Sequence, residues 1–424
     1  MSPGKQAEHD LAPKRRKPFY GWWVAVAAGI GLGLGYGPII VYTFTIFLKP
    51  LLQHFHSSRG EVSFAFTLAN VAVAISSPLA GRLADRFGGK RIIFSTTCIF
   101  AVILVSALVL SNGIWRLYLF YVLLGTFGAG TANVPYGKVV SNWFDKRRGL
   151  ALGLMMSGLG VGAIVLPPLA QHLITIFGWR GAYAAIGLLV TLLCLPVVSF
   201  LLKETPAEVG SLPDGGATKQ AAMSQRADSE GVSWHDAWHD RAFWIMASAF
   251  VLVGASVHGC VIHMVPMLTD RGITADQAAL ASSLLGAAIL ISRLVSGYLL
   301  DRFFAPRVAM FFFCAAGLGI GLLWSGASGA TAFLGAFLVG LGMGAEGDVI
   351  AYLTGRFFGL RSFGEIYGYA FASYVLAGAL GPWLMGFGFD HTASYRPVLS
   401  GFFAATLVAG AVTLRLGPYR YRPH

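Results

Sequence analysis

Long runs of apolar residues alternate with short polar segments along almost the whole chain. Each run holds about 20 residues, the length that an α-helix needs to cross the hydrocarbon core of a bilayer. The pattern predicts an all-α membrane protein with twelve transmembrane helices, at residues 22–48, 61–81, 92–112, 117–141, 149–173, 179–202, 242–268, 277–300, 308–327, 331–355, 365–388 and 396–417.

The composition of the chain supports this prediction. Of its 424 residues, 56% are apolar and only 12% are charged, whereas a soluble domain carries about 25% charged residues. A single soluble core cannot bury so much apolar surface, because soluble chains of this length divide into several domains. The shortage of charge also excludes a disordered chain.

One interior polar stretch, at 203–241, is much longer than the other segments between the apolar runs. It is rich in glycine, serine, alanine and charged residues, which is typical of a flexible linker. It follows the sixth run, so six predicted helices lie on each side of it. We therefore predict a tail at 1–19, a six-helix bundle at 20–202, the linker at 203–241, a second six-helix bundle at 242–417 and a second tail at 418–424.

The two halves of the chain repeat a short motif. Residues 81–86, Gly-Arg-Leu-Ala-Asp-Arg, end the second predicted helix, and residues 297–302, Gly-Tyr-Leu-Leu-Asp-Arg, end the eighth, 216 residues later. An internal repeat indicates that a chain is built from similar units. In membrane transporters, parallel units of this kind are related by an axis along the membrane normal. We therefore predict two pseudo-symmetric six-helix bundles.

Positive charge is distributed unevenly between the two sides that this topology defines. The chain has a net charge of +12. If the N-terminus is cytoplasmic, 23 of the 31 lysine and arginine residues lie in cytoplasmic segments and 6 lie on the outer side. Such an excess predicts that both termini are cytoplasmic. Topology and anionic lipid headgroups therefore account for the basic charge, and no nucleic-acid partner is expected.

Three regions of the sequence carry a family resemblance. Residues 81–91, Gly-Arg-Leu-Ala-Asp-Arg-Phe-Gly-Gly-Lys-Arg, resemble the signature loop between the second and third helices of the major facilitator superfamily. Residues 143–153 resemble the fifth-helix signature of the monocarboxylate transporter family, and residues 20–24 with 58–63 resemble its first-helix region. The match suits bacterial members of that family, near the oxalate–formate antiporter group.

The resemblance implies the major facilitator fold, transport by alternating access and a place in the bacterial inner (plasma) membrane. It also implies a gating role for Asp85, Arg86, Asp301 and Arg302, because this loop gates the inward-facing side in the family. Two positions depart from the animal monocarboxylate carriers. Those carriers have an aspartate one turn before the eighth-helix arginine, where this chain has Ile289, and a first-helix lysine without a counterpart here.

Arg293 is the most informative charge within the predicted helices. It lies about eight residues from the cytoplasmic end of the eighth helix, too deep for its guanidinium to reach water easily. A guanidinium binds a carboxylate through two parallel hydrogen bonds. The eighth-helix arginine of the family binds the substrate carboxylate, and the resemblance implies this role for Arg293. The alternative is a structural ion pair with Glu346 or Asp348.

Glu346 and Asp348 lie two residues apart in the tenth predicted helix. This spacing separates them by about 200° around the helix, so we do not expect both to face one cavity. A carboxyl group in a membrane site can take up a proton near neutral pH. We predict that one of the two carries a coupled proton, and a static ion pair with Arg293 or Lys138 is the alternative. For Lys138, we expect a side chain that reaches out to the membrane surface.

Four further polar residues complete the candidate site. Asn133 and Tyr136 lie three residues apart in the fourth helix and are expected to share a face, where they would bind a small polar substrate or another helix. His263 lies near the outer end of the seventh helix, and the resemblance to bacterial monocarboxylate carriers implies that it lines the site. Tyr36 is a candidate cavity lining, although membrane aromatics more often pack or anchor at the interface.

The number of positive charges within the membrane also limits how many carboxylates the substrate is expected to have. The oxalate carriers that this chain resembles use an eleventh-helix lysine as a second cation, but residues 365–388 contain no lysine or arginine. One deep arginine suits one carboxylate, so we predict a monocarboxylate such as lactate, pyruvate or acetate. Residues 158–168 match poorly the fifth-helix motif of superfamily antiporters, which favours proton symport. An organic anion antiporter of the oxalate–formate type is the alternative.

Other classes of function have less support in the sequence. The four cysteines lie far apart within apolar runs, and the sequence contains no metal-ligand spacing, nucleophile elbow or phosphate-binding loop. We therefore expect no enzyme activity, no metal and no cofactor. A channel or a membrane sensor is the rival from a different class. The expected partners are a small carboxylate, protons and membrane lipids, and we expect the monomer to be functional.

Overall fold

The computed structural model describes residues 19–111, 113–215, 231–326 and 329–421. Most of the predicted N-terminal tail, part of the predicted linker and the last three residues of the chain lie outside the described residues. Within the described ranges the regular structure is helical, apart from an isolated β-bridge between Gly231 and Gly359. The prediction of an all-α membrane protein is confirmed.

The α-helices of the described chain follow the predicted spans, but several spans consist of two helices because the backbone is interrupted within them. In chain order the α-helices are α1 (Gly21–Gly33), α2 (Phe44–Phe55), α3 (Arg59–Phe87), α4 (Gly89–Ser106), α5 (Ile114–Gly128), α6 (Asn133–Trp143), α7 (Arg148–Leu189), α8 (Leu195–Phe200), α9 (Trp234–Trp238), α10 (Arg241–Ile262), α11 (Met264–Thr269), α12 (Ala275–Arg302), α13 (Ala305–Trp324), α14 (Ala330–Phe358), α15 (Phe363–Thr392) and α16 (Arg396–Thr413).

Eleven stretches of the described chain are long and apolar enough to cross a membrane. One of them, Arg148–Phe200, has 53 residues, more than twice the length that one crossing requires. Its backbone leaves the helical conformation at Gly178, where φ is 68° and ψ is 175°. Glycine adopts this left-handed φ without strain because it has no Cβ atom. Two crossings therefore meet at Gly178, which separates the fifth and sixth predicted spans and accounts for twelve crossings.

Four spans are interrupted inside the membrane, one of them by a π-helical turn at Val190–Cys194 between α7 and α8. A π-helical turn at Gly37–Val41, which contains Pro38, lies between α1 and α2, and Ala132 is extended between α5 and α6. α10 ends at Ile262, whose carbonyl has no amide partner four residues later because residue 266 is proline. Irregular backbone at membrane depth occurs where it is buried in protein or lines a cavity. These interruptions lie inside predicted spans and divide each of them into shorter helices.

The connections between spans lie at two ends of the molecule. At one end, the Trp143 indole donates a hydrogen bond to the Lys203 carbonyl (2.9 Å), and the Tyr419 hydroxyl accepts one from the Ala305 amide (2.6 Å). At the other end, which we call the opposite face, Arg180 donates to a carbonyl before α5. The first end holds most of the described basic residues of the connections, and we call it the basic face. It consists of residues 82–91, 143–148, 203–215, 231–241, 302–307, 356–363 and 418–421.

Glycine residues let the two halves of the chain approach each other near the basic face. α3 packs along α15, and a Cβ atom on Gly81 would lie 1.9 Å from the Gly364 carbonyl oxygen. α7 packs along α12 in the same way, and a Cβ atom on Gly149 would lie 2.4 Å from the Gly297 carbonyl oxygen. Small residues of this kind let membrane helices pack closely. Gly81 and Gly297 are the first residues of the two motif copies, so the repeat provides equivalent contacts between the halves.

Candidate substrate site and gate

Arg293 lies within α12 with 8% of its surface exposed. Its Nε atom has no hydrogen-bond partner among the described residues. Its guanidinium forms no ion pair within 4.0 Å in the described part of the chain. The alternative prediction, a direct ion pair with Glu346 or Asp348, is therefore wrong for this structure. A guanidinium without a partner can bind an anion through two parallel hydrogen bonds.

Asp348 lies on α14 beside Arg293 and has no exposed surface. Its Oδ2 atom accepts a hydrogen bond from the Ser296 hydroxyl (2.8 Å), and its Oδ1 atom has no described partner. Ser296 lies about one turn after Arg293 on α12, and the Arg293 charge acts on the Asp348 carboxyl group. α14 therefore supplies a carboxyl group beside the arginine, whereas Ile289 occupies the position of the aspartate in the animal carriers.

Glu346 lies on the other side of Gly347 from Asp348. It is fully buried, and neither of its carboxyl oxygen atoms has a hydrogen-bond partner among the described residues. It faces Tyr374 of α15, and the Arg293 charge acts on it as well. The two acids therefore face different helices, as their spacing predicts, but both lie within reach of the same arginine charge.

Two polar residues approach the acids from the two halves of the chain. Gly347 faces the first half, where the Asn133 Nδ2 atom lies 3.8 Å from the position of a Cβ atom on Gly347. Tyr367 of α15 is fully buried, interacts with Asn133 and Asp348, and has a hydroxyl group without a hydrogen-bond partner in the described chain. We did not predict Tyr367, although its seven-residue spacing from Tyr374 places both on one face of α15.

The contacts of Tyr136 and Tyr36 lie within the first half of the chain. The Tyr136 hydroxyl lies 2.2 Å from the position of a Cβ atom on Gly31. The Tyr36 ring packs against Gly128 of α5. Asn133 instead points towards α14, so the expectation that Asn133 and Tyr136 share a face is wrong. The reason is that a residue three positions along a helix is rotated by about 60°, which here directs Tyr136 towards α1.

The two histidines of the seventh span have different neighbours. The His263 Nε2 atom is hydrogen-bonded to the Pro382 carbonyl (3.1 Å) near the opposite face. The His258 ring packs edge-on against the Tyr374 ring, with 5.4 Å between the centroids, and its Nδ1 atom is bonded to the Gly254 carbonyl (3.0 Å). His258 is therefore the histidine that contacts a neighbour of Glu346.

The two aspartates of the repeated motif bind the first amides of helices in the other half. Asp85 accepts hydrogen bonds from the Gly364 amide (2.9 Å) and from Lys138 (2.8 Å). Asp301 accepts one from the Gly149 amide (2.6 Å), at the start of α7. Both carboxylates thus bind at the positive end of a helix. The expectation that Lys138 reaches the membrane surface is wrong, because its ammonium group is paired with Asp85 and donates a hydrogen bond to the Leu360 carbonyl of the second half (2.8 Å).

Two other arginines, which we did not predict, link the halves at the basic face. Arg82 forms an ion pair with Glu365, and the Arg356 Nη1 atom lies 2.6 Å from the Asp145 Oδ1 atom. The predicted gating residues Arg86 and Arg302 instead pack against aromatic rings of their own helices, Phe87 and Tyr298. In each copy of the motif, the aspartate rather than the final arginine makes the contact between halves.

The first described part of the predicted linker binds the first half of the chain. The Glu204 carboxylate accepts hydrogen bonds from the first two amides of α4 (2.9 and 2.7 Å). The Asp214 Oδ2 atom accepts from the Asp145 and Lys146 amides (2.9 and 2.7 Å). Asp214 has a left-handed φ of 56°, which is uncommon for a residue other than glycine. It thereby holds the loop that carries the Asp145 carboxylate.

The second described part of the linker binds the second half. The Val232 amide donates a hydrogen bond to the Phe358 carbonyl (3.0 Å), and the Trp234 ring stacks on Tyr369 of α15 with 3.8 Å between the centroids. The described ends of the linker are therefore attached to both halves at the basic face.

The amino-acid sequence also matches a known family of proteins. A sequence profile of the Major Facilitator Superfamily matches residues 30–382 and, in a second match, residues 256–423. The chain belongs to the major facilitator superfamily. It is 28% identical over 408 residues to monocarboxylate transporter 11 of Homo sapiens, covering 93% of this chain and 81% of that protein. It is 24% identical over 426 residues to monocarboxylate transporter 2 of Homo sapiens, covering 96% and 87%.

Solved structures show the same fold. The proton:xylose symporter XylE, bound to 6-bromo-6-deoxy-D-glucose, aligns with a TM-score of 0.73 at 15% identity, over 95% of this chain and 97% of that one. The transporter FucP, in the outward conformation, aligns with a TM-score of 0.69 at 16% identity, over 93% and 99%. The predicted major facilitator fold is confirmed. The chain is an integral membrane transporter related to monocarboxylate transporters, and it is not an enzyme.

Proposed function

We propose that this superfamily member is a secondary active transporter that moves a small monocarboxylate together with a proton by alternating access. The expected substrate is a monocarboxylate such as lactate, pyruvate or acetate. The observation that carries the proposal is Arg293, a buried guanidinium with no ion pair among the described residues and two buried carboxyl groups nearby. The relationship to monocarboxylate transporters supports the same substrate class.

Arg293 binds the substrate carboxylate through two charge-assisted hydrogen bonds. A charge at the centre of a bilayer costs about 2.5–3.5 kcal/mol on insertion scales, and an anionic ligand offsets that cost. Asn133 and Tyr367 offer an amide and a hydroxyl to a second polar group of the substrate, and they belong to different halves of the chain. A role for His263, Tyr36 or Tyr136 in binding stays a prediction.

Asp348 carries the coupled proton in this scheme. A substrate anion and an ionised Asp348 would repel each other beside one guanidinium. Protonation of Asp348 removes this repulsion, so the anion and the proton bind together. One negative and one positive charge then cross the membrane as a pair, which makes transport electroneutral.

The contacts at the basic face form the gate of the proposed cycle. In this proposal the basic face and both termini are cytoplasmic, which the excess of basic residues on this side supports. Opening the site to the cytoplasm requires Asp85 and Asp301 to leave the first amides of α15 and α7, and the Arg82–Glu365 ion pair to break. We also propose that the protein lies in a bacterial inner membrane and is active as a monomer. The two monocarboxylate transporters named above are human proteins.

Uptake into proteoliposomes tests this function. We expect radiolabelled lactate to accumulate above its external concentration when the proton gradient is directed inward, and to stop accumulating when an ionophore collapses that gradient. Arg293→Gln removes the guanidinium and should abolish accumulation. Arg307→Gln is the matched control, because Arg307 is exposed at the basic face.

The same assay distinguishes the alternatives. Uptake that depends on a carboxylate loaded inside the vesicles, and not on the proton gradient, would indicate an antiporter of the oxalate–formate type. Uptake that only equilibrates would indicate a channel. Full accumulation by Arg293→Gln would contradict the proposed binding site.

A further inference from the structure

Residues 234–240 of the linker contain the tripeptide Trp-His-Asp twice, four residues apart, and the proposed transport cycle gives this repeat no role. Four residues make about one turn of an α-helix, so His235 and His239 share a face of α9. His239 directly follows the last residue of α9 and keeps a helical backbone, with a φ of −85° and a ψ of −4°. The two imidazole rings are neighbours, with 4.7 Å between their centroids.

The ring nitrogens of this pair are available to a ligand. The His239 Nδ1 atom is hydrogen-bonded to the His235 carbonyl (2.8 Å). Because a carbonyl only accepts, Nδ1 carries the hydrogen, and Nε2 of the neutral ring keeps a free electron pair. Histidines that bind metals commonly have this arrangement, in which the second ring nitrogen donates to a carbonyl. Neither His239 Nε2 nor the His235 ring has a hydrogen-bond partner in the described part of the chain.

The residues around α9 hold the pair at an open cavity of the basic face. Ser233 and Asp236 form reciprocal hydrogen bonds at the start of the helix. Asp240, directly after the helix, forms an ion pair with Arg420 and accepts a hydrogen bond from an amide of α10. The same cavity is lined by both exposed histidines, by these two aspartates and by Arg420 and Arg241. Two carboxylates therefore offset the two guanidinium groups, and the basic face does not repel a cation at this point.

We propose that His235 and His239 bind Zn²⁺ or another divalent transition-metal ion that prefers imidazole. Two imidazoles on one Zn²⁺ ion, with Zn–N distances of about 2.0–2.1 Å and a tetrahedral angle, have ring centroids about 5 Å apart. The observed separation of 4.7 Å is close to this value. Imidazole nitrogen suits zinc, copper and nickel, whereas magnesium and calcium prefer oxygen ligands.

The proposed site has two protein ligands. No group of three or more histidine, cysteine, aspartate or glutamate residues within the described ranges could hold a metal, so water completes the coordination of the ion. Binding is therefore reversible, unlike that of a structural zinc site with four protein ligands. The inference departs from our expectation of no metal, because two ligands are fewer than the metal motifs recognised in sequences contain.

Isothermal titration calorimetry with Zn²⁺ tests the site on the purified full chain without an affinity tag. We expect a dissociation constant on the order of 1–100 µM, because two ligands supply about half of the binding free energy of a four-ligand site. His235→Ala and His239→Ala should each weaken this binding at least about tenfold, since one imidazole alone loses the chelate. His391→Ala should bind as the original chain does. It is the matched control because His391 is exposed and its Nδ1 atom is bonded to the Phe387 carbonyl (2.8 Å), but no histidine lies four residues before it.

Hydrogen exchange shows where the ion binds. Zn²⁺ should slow amide exchange at residues 233–241 of the original chain and of His391→Ala, but not of the double variant His235→Ala/His239→Ala. Mg²⁺ at the same concentration should not slow this exchange, because it prefers oxygen ligands.

Three results would overturn the proposal. The first is an equal affinity for Zn²⁺ of the original chain and the double variant, and the second is a dissociation constant above about 1 mM in the original chain. The third is exchange at residues 233–241 that Zn²⁺ leaves unchanged or that Mg²⁺ slows equally. The comparison of the two ions uses the original chain alone, so it decides the question even if a variant does not fold. None of these results bears on Arg293, so the proposed transport function is tested separately.

Discussion

Lys138 and Arg293 are the two lysine or arginine residues that lie more than two residues inside the ends of the predicted helices, and the structure gives them different surroundings. The Lys138 ammonium group donates to Asp85 and to the Leu360 carbonyl, both at 2.8 Å. Arg293 makes no such contact among the described residues. A paired charge between helices holds a structure together, whereas a buried charge without a pair is available to a ligand.

Asp348→Asn is expected to separate binding from proton coupling. The amide keeps the size of the side chain but cannot take up the coupled proton. We expect this variant to exchange labelled for unlabelled substrate across the membrane, and to lose accumulation driven by the proton gradient. Asp390→Asn, at an exposed position near the opposite face, is the control. Full proton-driven accumulation by Asp348→Asn would exclude Asp348 as the proton carrier.

Tyr367→Phe is expected to weaken substrate binding without blocking the transport cycle. It removes one hydroxyl group whose hydrogen bond to the substrate is worth about 1 kcal/mol, so the KM for uptake should rise about fivefold while kcat changes little. Tyr136→Phe is the matched control, because the Tyr136 hydroxyl packs against Gly31. A larger effect of Tyr136→Phe than of Tyr367→Phe would favour the role that we predicted for Tyr136.

The sequence identifies some residues of the site better than others, for a physical reason. Arg293, Glu346 and Asp348 are recognisable because a charge within an apolar run is costly wherever its neighbours lie. Tyr367 is not recognisable in this way, because tyrosines are common in membrane helices. The nearness of Arg293 to the two acids of α14 is also not recognisable, because helical periodicity gives the face of a residue but not the helix that it meets.

At the scale of elements, the twelve spans are predictable because their length and apolarity must match the bilayer. The interruptions at Gly37–Val41, Ala132 and His263 are not predictable from apolarity. Membrane helices tolerate proline and glycine, and neighbouring helices decide whether the backbone breaks. Asn133 and His263 both lie at these interruptions, and Tyr36 directly precedes one, so the candidate residues coincide with the irregular parts of the spans.

The linker provides a prediction at this scale. Asp214→Ala removes the carboxylate that binds the Asp145 and Lys146 amides, and leaves alanine in a left-handed conformation. Losing a capping carboxylate costs about 0.5–2 kcal/mol. We expect a lower melting temperature of the purified protein and a weaker Asp145–Arg356 contact. Asp214→Asn, which tolerates the conformation and keeps one oxygen atom, should lie between the two. Equal melting temperatures for all three proteins would show that this contact does not stabilise the basic face.

At the scale of the whole molecule, the repeated motif provides the same contact twice. Asp85 and Asp301 bind helix starts in the other half, and Gly81 and Gly297 allow the backbones to meet. The repeat itself is visible in the sequence. The pairing of α3 with α15 and of α7 with α12 is not, because no local pattern specifies which helices of the two halves are neighbours.

Gly81→Leu is expected to keep the two halves apart at the basic face. A side chain at this position would overlap the Gly364 carbonyl. Overpacking costs about 1–3 kcal/mol, which shifts the closed state by about 5- to 150-fold. Spin labels at Lys146 and Arg361, in a chain without its native cysteines, should report longer distances, and uptake should fall. Gly401→Leu, where no atom lies within 4 Å of a Cβ, is the control. An unchanged distance distribution would contradict this account of the gate.

The most direct test of the central claim is the dissociation constant of the tightest-binding carboxylate for three proteins: the original chain, Arg293→Gln and Arg307→Gln. If Arg293 holds the substrate carboxylate, Arg293→Gln should bind about 30-fold or more weakly, because a buried charge pair is lost, and Arg307→Gln should bind as the original chain does. Equal affinities for all three proteins would contradict the claim.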